Sequence, residues 1–258
     1  MSKKEYAYGL RTCGSDRTSY NGFVWPKKGK VSAPDWMPTW ECGNGLHALL
    51  NGEGDANLLS WDDDAVWQVV KFDAATMIEL NGKVKFPECI VLHTGTRATA
   101  TARLWSLVGV GHAIHGLVLH SDEKLTASGG NGSTLSGGHH SHLTGGYGST
   151  LTGGDGSTLT GGYGSTLTGG DRSTLTGGYG STLTGGYLST LTGGDRSTLT
   201  GGDRSTLTGG AGSCFTVVWW YDGKRRSASF NEGEDHEANT PYKAVCEGRN
   251  CRLEKVIK

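Results

Sequence analysis

Histidine-rich stretches are the residues of this sequence that could most readily do chemistry, because imidazole binds zinc and transfers protons near neutral pH. His112 and His115 precede His120, and an HHSH run covers residues 139–142. A zinc site needs three or four converging nitrogen or sulfur ligands, and no cysteine pair accompanies these histidines in the sequence. The sequence therefore predicts no metal site and no cofactor.

A second candidate for chemistry is His47 in the segment ECGNGLH, which also contains Glu41 and Cys42. A histidine near a carboxylate or a thiol can transfer protons or activate a nucleophile, whereas a buried structural histidine is the alternative. The sequence has no phosphate-binding loop of the GxxxxGK[ST] type, no GxSxG motif, and no GxGxxG after a strand. We therefore expect a protein that is not an enzyme, with His47 and Glu41 as the candidate site of the N-terminal segment.

Charge and composition limit the partners. The 258 residues contain 24 basic and 25 acidic side chains, so the formal charge of −1 provides no field for nucleic acid or an anionic membrane. No stretch approaches the ~20 apolar residues of a membrane helix, and the N-terminus lacks the apolar region of a signal peptide. The sequence predicts a protein in the bacterial host cytoplasm with reduced cysteines, of which Cys246 and Cys251 could pair under oxidising conditions.

The dominant signal is an internal repeat. Residues 131–210 form ten consecutive octads of the type YGSTLTGG, and a degenerate unit, EKLTASGG, precedes them at 123–130. Alternation with period 2 predicts a short strand in each octad, with Ser and Leu on one face and the two threonines on the other. The Gly-Gly pair predicts a tight corner after the strand, because glycine allows positive φ.

A strand and a corner of eight residues cannot bury their own leucine, so the octads must stack on one another. Two octads for each 16-residue coil give two parallel sheets that face each other across the leucines. The alternative is a flexible linker, which does not account for the strict phase or the alternation. The predicted Thr-x-Thr surface comprises Thr150, Thr152, Thr158, Thr160, Thr166, Thr168, Thr174, Thr176, Thr182, Thr184, Thr190, Thr192, Thr198, Thr200, Thr206 and Thr208.

The first residue of each octad carries a second pattern, with period 16. One edge of the solenoid would present Tyr147, Tyr163 and Tyr179, and the opposite edge would be mainly acidic. A flat aromatic edge favours self-association into a dimer or a higher oligomer, with a host protein as a further partner. Corner side chains that only stack and keep the rod soluble are the alternative.

The run GGYGSTLTGG resembles the octapeptide repeat of bacterial ice nucleation proteins. This resemblance covers residues 131–210 and implies a β-solenoid whose Thr-x-Thr rows order water and whose tyrosine ladder dimerises. The sequence departs from the family in having five coils rather than dozens, and in having Leu where the family often has Gln. Few coils imply a small template for ice.

Residues 1–122 differ in composition and predict an α+β domain. We expect a strand at Ala65–Phe72, a short helix AATMIEL capped by Asp73, strands at KVKF and CIVLHTG, and a helix at ATATARLWSLV. The stretches YNGFVWPKKGKVSAPDW and ECGNGLH resemble an uncharacterised domain of phage and prophage proteins, which implies a viral or prophage origin. A distant likeness to ADP-ribosyltransferases gives an alternative, an enzymatic head with the solenoid as spacer.

Residues 211–258 predict a β cap on the solenoid, because Asp222-Gly223 between alternating runs is a hairpin signal. We expect Trp219 and Trp220 to pack over the last coil. The predicted fold is thus mainly β: an α+β domain, a two-sheet parallel β-solenoid with 16-residue coils at 123–210, and the cap. The predicted function is a non-enzymatic phage-type scaffold for protein–protein interaction, with an ice-binding Thr-x-Thr surface as the first alternative.

Overall fold

The computed structural model describes residues 5–257. The chain divides into two compact units, Met1–Val118 and Leu119–Lys258, which we call the N-terminal unit and the repeat unit. The predicted fold class is confirmed: the chain is mainly β, with a parallel β-solenoid flanked by antiparallel strands on both sides in sequence.

The N-terminal unit contains one antiparallel sheet and one α-helix among its described residues. The order of the strands in the sheet is β2-β7-β4-β1-β3-β6-β5. The elements are β1 (Tyr6–Cys13), β2 (Gly29–Ser32), β3 (Leu46–Leu50), β4 (Val66–Asp73), β5 (Ile78–Leu80), β6 (Lys83–Phe86), β7 (Glu88–Gly95) and α1 (Arg97–Val108). Short 3-10 turns lie at Tyr20–Gly22, Ala56–Leu58 and Ala74–Thr76.

The segment AATMIEL is not the predicted helix. The Asp73 side chain does cap its start, by accepting a hydrogen bond from the backbone N–H of Ala75 at 3.0 Å. Only a 3-10 turn follows, and β5 then pairs with β6 across the Asn81-Gly82 turn, where φ of Gly82 is 75°. The Asn-Gly pair is therefore a hairpin turn rather than a helix end, because pairing with β6 outweighs the local helical preference.

The other elements predicted for this unit are present, and α1 packs against the sheet. This helix begins after Thr96, whose side chain accepts from the N–H of Thr99, and ends at Gly109. Its buried face of Ala100, Thr101 and Leu104 packs on β1, β4 and β7. The hydrophobic core of the unit includes Trp25, Leu46, Ala48, Val70, Phe72, Val84, Phe86, Cys89 and Val91.

The repeat unit is built from two long sheets. Sheet 1 contains β8, β10, β12, β14, β16, β18, β20 and β21 in that order, and sheet 2 contains β9, β11, β13, β15, β17, β19, β22 and β23. The strands are β8 (Val118–His120), β9 (Thr126–Ser128), β10 (Thr134–Gly137), β11 (His142–Thr144), β12 (Thr150–Gly153), β13 (Thr158–Thr160), β14 (Thr166–Thr168), β15 (Thr174–Thr176), β16 (Thr182–Thr184), β17 (Thr190–Thr192), β18 (Thr198–Gly202), β19 (Thr206–Thr208), β20 (Cys214–Tyr221), β21 (Lys224–Asn231), β22 (Tyr242–Glu247) and β23 (Asn250–Lys255).

Successive coils are in register. Thr166 pairs in parallel with Thr182, and Leu167 with Leu183, so each strand lies over the strand 16 residues earlier. The described solenoid has about 6 turns, one more than the octads alone predict, because strands on either side of the octads extend the stack. The inner faces meet at leucines that are at most 1 % exposed: Leu135, Leu143, Leu151, Leu159, Leu167, Leu175, Leu183, Leu191, Leu199 and Leu207.

Aromatic rings close the C-terminal end of the solenoid core. Phe215 on β20 pairs in parallel with Leu199 of β18 and so continues the row of buried leucines. The His236 ring stacks on Phe215 with 3.8 Å between the ring centroids. On sheet 2, Tyr242 of β22 pairs with Leu207 in an antiparallel ladder. A parallel stack would otherwise expose pairing-competent backbone. The antiparallel strands β21, which pairs with β20, and β22, which pairs with β19, therefore end the addition of coils.

The cap differs in two respects from the expectation. Trp219 is buried, and its indole N–H donates to the Gly248 carbonyl at 3.1 Å, but Trp220 is 72 % exposed and does not pack over the last coil. The alternation of β20 explains this difference, because successive side chains point to opposite faces of a strand. Cys246 and Cys251 form a disulfide across β22 and β23, so the expectation of reduced thiols is wrong for this pair.

Candidate functional site

The threonines of the octads form two exposed faces. In each strand from β12 to β19 the sequence Thr-Leu-Thr turns its leucine inward and both threonines outward. On sheet 1 the complete Thr-x-Thr rows run from Thr150 to Thr200, and on sheet 2 they run from Thr158 to Thr208, with adjacent rows in register. The hydroxyls and methyls of each face therefore repeat on a grid of ~4.8 Å between rows and ~6.6 Å along a row.

Buried serines tie each coil to its neighbours and keep the grid regular. The Ser165 hydroxyl donates to the Gly146 carbonyl at 3.2 Å, and Ser181 donates to Gly162 at the same distance. Both serines are 1 % exposed. Because a buried hydroxyl without a partner would destabilise the fold by ~1–3 kcal/mol, these inter-coil bonds favour one register.

The Gly-Gly pairs are needed for close approach rather than for positive φ. Positive φ occurs at the second octad position, where it is 56° at Arg172 and 57° at Leu188. A Cβ on Gly177 would lie 2.6 Å from the Cβ of Ser181, and a Cβ on Gly178 would meet the backbone of the preceding coil at 2.9 Å. The residue with positive φ therefore lies two residues after the Gly-Gly pair, for example at Gly180 after Gly177 and Gly178.

The tyrosine edge consists of Tyr147, Tyr163 and Tyr179. The ring centroids of successive tyrosines are 5.2 Å and 5.1 Å apart, with interplanar angles of 12° and 8°. The Arg196 guanidinium lies 5.7 Å from the Tyr179 ring centroid at the end of the stack. The exposed fractions fall from 60 % at Tyr147 to 37 % at Tyr179, so the edge presents a flat aromatic strip to solvent.

The acidic edge has a structural role that sequence reasoning missed. Asp155 accepts a hydrogen bond from the backbone N–H of Asp171 at 3.0 Å, and Asp171 accepts one from Tyr187 at 2.8 Å. Asp203 continues the ladder into the cap by accepting from the N–H of Cys246 at 3.1 Å. Each carboxylate thus caps the corner of the next coil. The recurrence of Asp at the first octad position was the available signal.

The histidines considered for zinc make local contacts instead. His112 lies 3.1 Å from the carboxylate of Glu53, and His139 accepts from the backbone N–H of Asp155 at 3.1 Å. Among residues 5–257, no group of three or more His, Cys, Asp or Glu side chains is placed to hold a metal ion.

Of the two residues predicted for the N-terminal site, the structure places His47 in a cleft and Glu41 outside it. His47 lies on β3 and lines a cleft of about 730 Å³, and within the described residues its buried Nε2 has no hydrogen-bond partner. Burial, and then the charges of Lys83 and Lys85, lower the pKa of His47 to about 4. The imidazole is therefore neutral at pH 7. The backbone carbonyl of Glu41 accepts a hydrogen bond from Lys85 at 2.8 Å.

Sequence reasoning missed two cations of the same cleft. Arg11 on β1 is 7 % exposed, and burial lowers its pKa to about 10. Lys83 on β6 donates to the Cys42 thiol at 3.0 Å and thereby lowers the pKa of that thiol. Arg11, His47 and Lys83 lie on the neighbouring strands β1, β3 and β6, and all three line the cleft. The sequence of β1 does not reveal that Arg11 is buried, because burial along this strand does not alternate: Gly9, Leu10 and Arg11 are buried in succession.

Comparison with known proteins bears on the repeat. No family model and no solved structure matches the chain. An ice nucleation protein of Pseudomonas fluorescens is 41% identical over 100 residues, which are 38% of this chain and 8% of that protein. The repeat region resembles that of bacterial ice nucleation proteins. Ice nucleation protein InaU of Pantoea ananas is 38% identical over 100 residues, and one of Pseudomonas syringae is 39% identical over 94 residues.

These relatives limit what can be carried over. The alignments span 8% to 10% of the relatives' own length. The cytoplasmic location predicted from the sequence is wrong by this comparison, because ice nucleation proteins are surface proteins anchored in the outer membrane. The resemblance of the N-terminal segment to phage proteins has no support among the relatives found. In the part of the chain that the structure describes, no helix has the length and apolarity to cross a membrane.

Proposed function

We propose that the Thr-x-Thr surface of the solenoid orders water and binds ice. The observation that carries this proposal is the in-register, outward-facing array of threonines on both sheets. Each threonine presents a hydroxyl that hydrogen-bonds to water beside a methyl group that does not. A rigid grid of such groups can hold a layer of water molecules in fixed positions. The names of the relatives that match the repeat support the same function.

The size of the array determines which ice activity to expect. Each sheet carries four consecutive complete Thr-x-Thr rows within the described residues, which span ~14 Å along the solenoid axis. The antiparallel cap strands β21 and β22 prevent further coils from stacking at the C-terminal end. We therefore expect adsorption to existing ice, measured as thermal hysteresis or inhibition of recrystallisation, rather than efficient nucleation of new ice.

Substitutions on the two faces test this proposal. Thr182 lies in an inner row of sheet 1, and Thr174 lies in an inner row of sheet 2; both are exposed. We expect Thr182→Lys to abolish thermal hysteresis if sheet 1 binds ice, because a long charged side chain breaks the flat grid. Thr174→Lys is the matched control on the other face, at an equivalent strand position with equivalent neighbours. The milder Thr182→Val keeps the methyl group and removes only the hydroxyl.

The outcomes are distinct. Loss of hysteresis in one lysine variant, with unchanged circular dichroism, identifies the ice-binding face. If the unmodified protein shows no hysteresis and no inhibition of recrystallisation at millimolar concentration, the proposal is wrong. Full activity in a protein that carries both Thr182→Lys and Thr174→Lys would also refute it.

We propose self-association as a second function, on the basis of the tyrosine edge. Parallel tyrosine rings that are 37–60 % exposed form a flat, self-complementary strip. Two such strips related by a twofold axis would bury the rings against each other. The expected result by light scattering is a dimer of about 54 kDa, twice the chain mass of 27.2 kDa. The triple variant Tyr147→Ser/Tyr163→Ser/Tyr179→Ser should be a monomer. Equal masses for both proteins would exclude this edge as the interface.

A further inference from the structure

The cleft of the N-terminal unit has the size and walls of a small-molecule site. Its volume of about 730 Å³ lies within the usual range of ligand pockets, ~300–1,000 Å³. Apolar side chains form much of its lining, and a few charged groups converge on it. The apolar and aromatic lining residues include Tyr20, Phe23, Trp25, Leu58 and Leu59.

Arg11 is the unusual member of the lining. Its guanidinium carbon lies 3.5 Å from the centroid of the Trp25 ring, and one terminal nitrogen donates to the Gln68 side-chain oxygen at 2.6 Å. Among residues 5–257, the titratable groups that act on Arg11 are the thiols of Cys13 and Cys89 and no carboxylate, and its buried Nε has no hydrogen-bond partner. A buried cation without an anionic partner destabilises a fold, and the lowered pKa of Arg11 is consistent with that.

The other charged groups leave the cleft net positive. Lys83 adds a second cation beside the Cys42 thiol, and Asp35 is the carboxylate in the lining. Two cations and one carboxylate give a formal charge of +1 when the thiol is protonated. His47 adds no charge at neutral pH, because its pKa is about 4.

We propose that this cleft binds a small organic anion, a carboxylate or a phosphate monoester with a planar apolar body. The anionic group would lie against Arg11, because guanidinium matches carboxylate and phosphate oxygens with two parallel donors. Lys83, which also lines the cleft, would add to its positive charge. The planar body would lie on the aromatic wall beside Trp25. This site is independent of the threonine faces and of the tyrosine edge.

Cys42 supplies a built-in reporter, since it lies in the lining and is an exposed free thiol. Iodoacetate and iodoacetamide alkylate the same thiolate and differ mainly in charge, so the ratio of their rates is independent of the thiol pKa. Because a positive cleft attracts the anionic reagent, we expect the rate with iodoacetate divided by the rate with iodoacetamide to be about tenfold higher at Cys42 than at Cys214, the partly exposed thiol of the repeat unit. Mass spectrometry of the full chain after digestion measures both sites in one reaction.

Matched variants assign the effect. Arg11→Gln and Lys83→Gln should each lower the rate ratio at Cys42, whereas Lys28→Gln, which removes one cation from an exposed bend, should leave it unchanged. Phenyl phosphate and benzoate at millimolar concentration should slow alkylation of Cys42 by neutral iodoacetamide, and benzyl alcohol should not. The relative protection by the two anions shows which anionic group the cleft prefers.

Three results would overturn the proposal. The first is a rate ratio at Cys42 that equals the ratio at Cys214. The second is benzyl alcohol slowing the alkylation of Cys42 as much as the anions do. The third is an unchanged rate ratio at Cys42 in an Arg11→Gln protein whose circular dichroism is also unchanged. If Arg11→Gln fails to fold, Lys83→Gln decides, because Lys83 is half-buried and a ratio unchanged in that variant refutes the role of cleft charge.

Discussion

Two glycines of one solenoid corner, Gly178 and Gly180, should respond very differently to alanine. A Cβ on Gly178 would lie 2.9 Å from the backbone nitrogen of Tyr163 and 3.0 Å from the carbonyl carbon of Gly162, both in the preceding coil. Real Cβ atoms do not approach backbone so closely, so the coils must separate. A Cβ on Gly180 would have no atom within 4 Å, although φ there is +63°.

The expected free energies of unfolding follow from these contacts. Gly180→Ala places alanine in the left-handed region, which destabilises by about 1 kcal/mol. Gly178→Ala forces an overpacked contact of about 2 kcal/mol and weakens the hydrogen bond from the Gly178 N–H to the Gly162 carbonyl, 3.3 Å long, by about 1 kcal/mol. The total of about 3 kcal/mol corresponds to a fall in Tm of ~6–12 °C, against ~2–4 °C for Gly180→Ala.

Thermal and urea unfolding followed by far-ultraviolet circular dichroism would measure both variants. Gly180→Arg is an informative control, because Arg172 and Arg196 occupy the equivalent position in other octads with φ of 56°. We expect this control to destabilise no more than Gly180→Ala. Equal losses for Gly178→Ala and Gly180→Ala, or a larger loss for the latter, would refute the assignment of the Gly-Gly pair to close approach.

Two further predictions concern the acidic ladder and the cleft. Asp171→Ala should lower the free energy of unfolding by about 1 kcal/mol, because the backbone N–H of Tyr187 loses its acceptor. Asp171→Asn should lower it by much less, because the amide oxygen can still accept this hydrogen bond. Equal losses for the two variants in urea unfolding would contradict the role of the aspartate ladder. His47 has a folded pKa of about 4 against an ordinary value of 6.5, so the unfolded chain binds the extra proton between these values and stability should fall as pH drops through this window. His47→Gln should reduce that fall, and an imidazole that titrates near 6.5 by proton NMR in the folded protein would show the reasoning to be wrong.

The sequence by itself determined the architecture of the repeat. Each coil contacts mainly its immediate neighbours, so a strict 16-residue period is enough to place Leu167 over Leu183 and Tyr163 beside Tyr147. The hairpin at Asp222-Gly223 was equally predictable, because its positive φ angles suit these residue types. In both cases the structure depends on residues that are close in sequence, within one coil for the repeat and within the turn for the hairpin.

Only the tertiary structure decided features that depend on residues distant in sequence. The segment around Ile78–Leu80 became a strand because β6 was available to pair with it. The requirement for Gly-Gly and the aspartate ladder both depend on the distance between successive coils. The sequence of a single octad does not predict that distance. Arg11 and Lys83 line one cleft because β1, β3 and β6 are neighbours in the sheet, and burial then changes the proton affinities of Arg11 and His47.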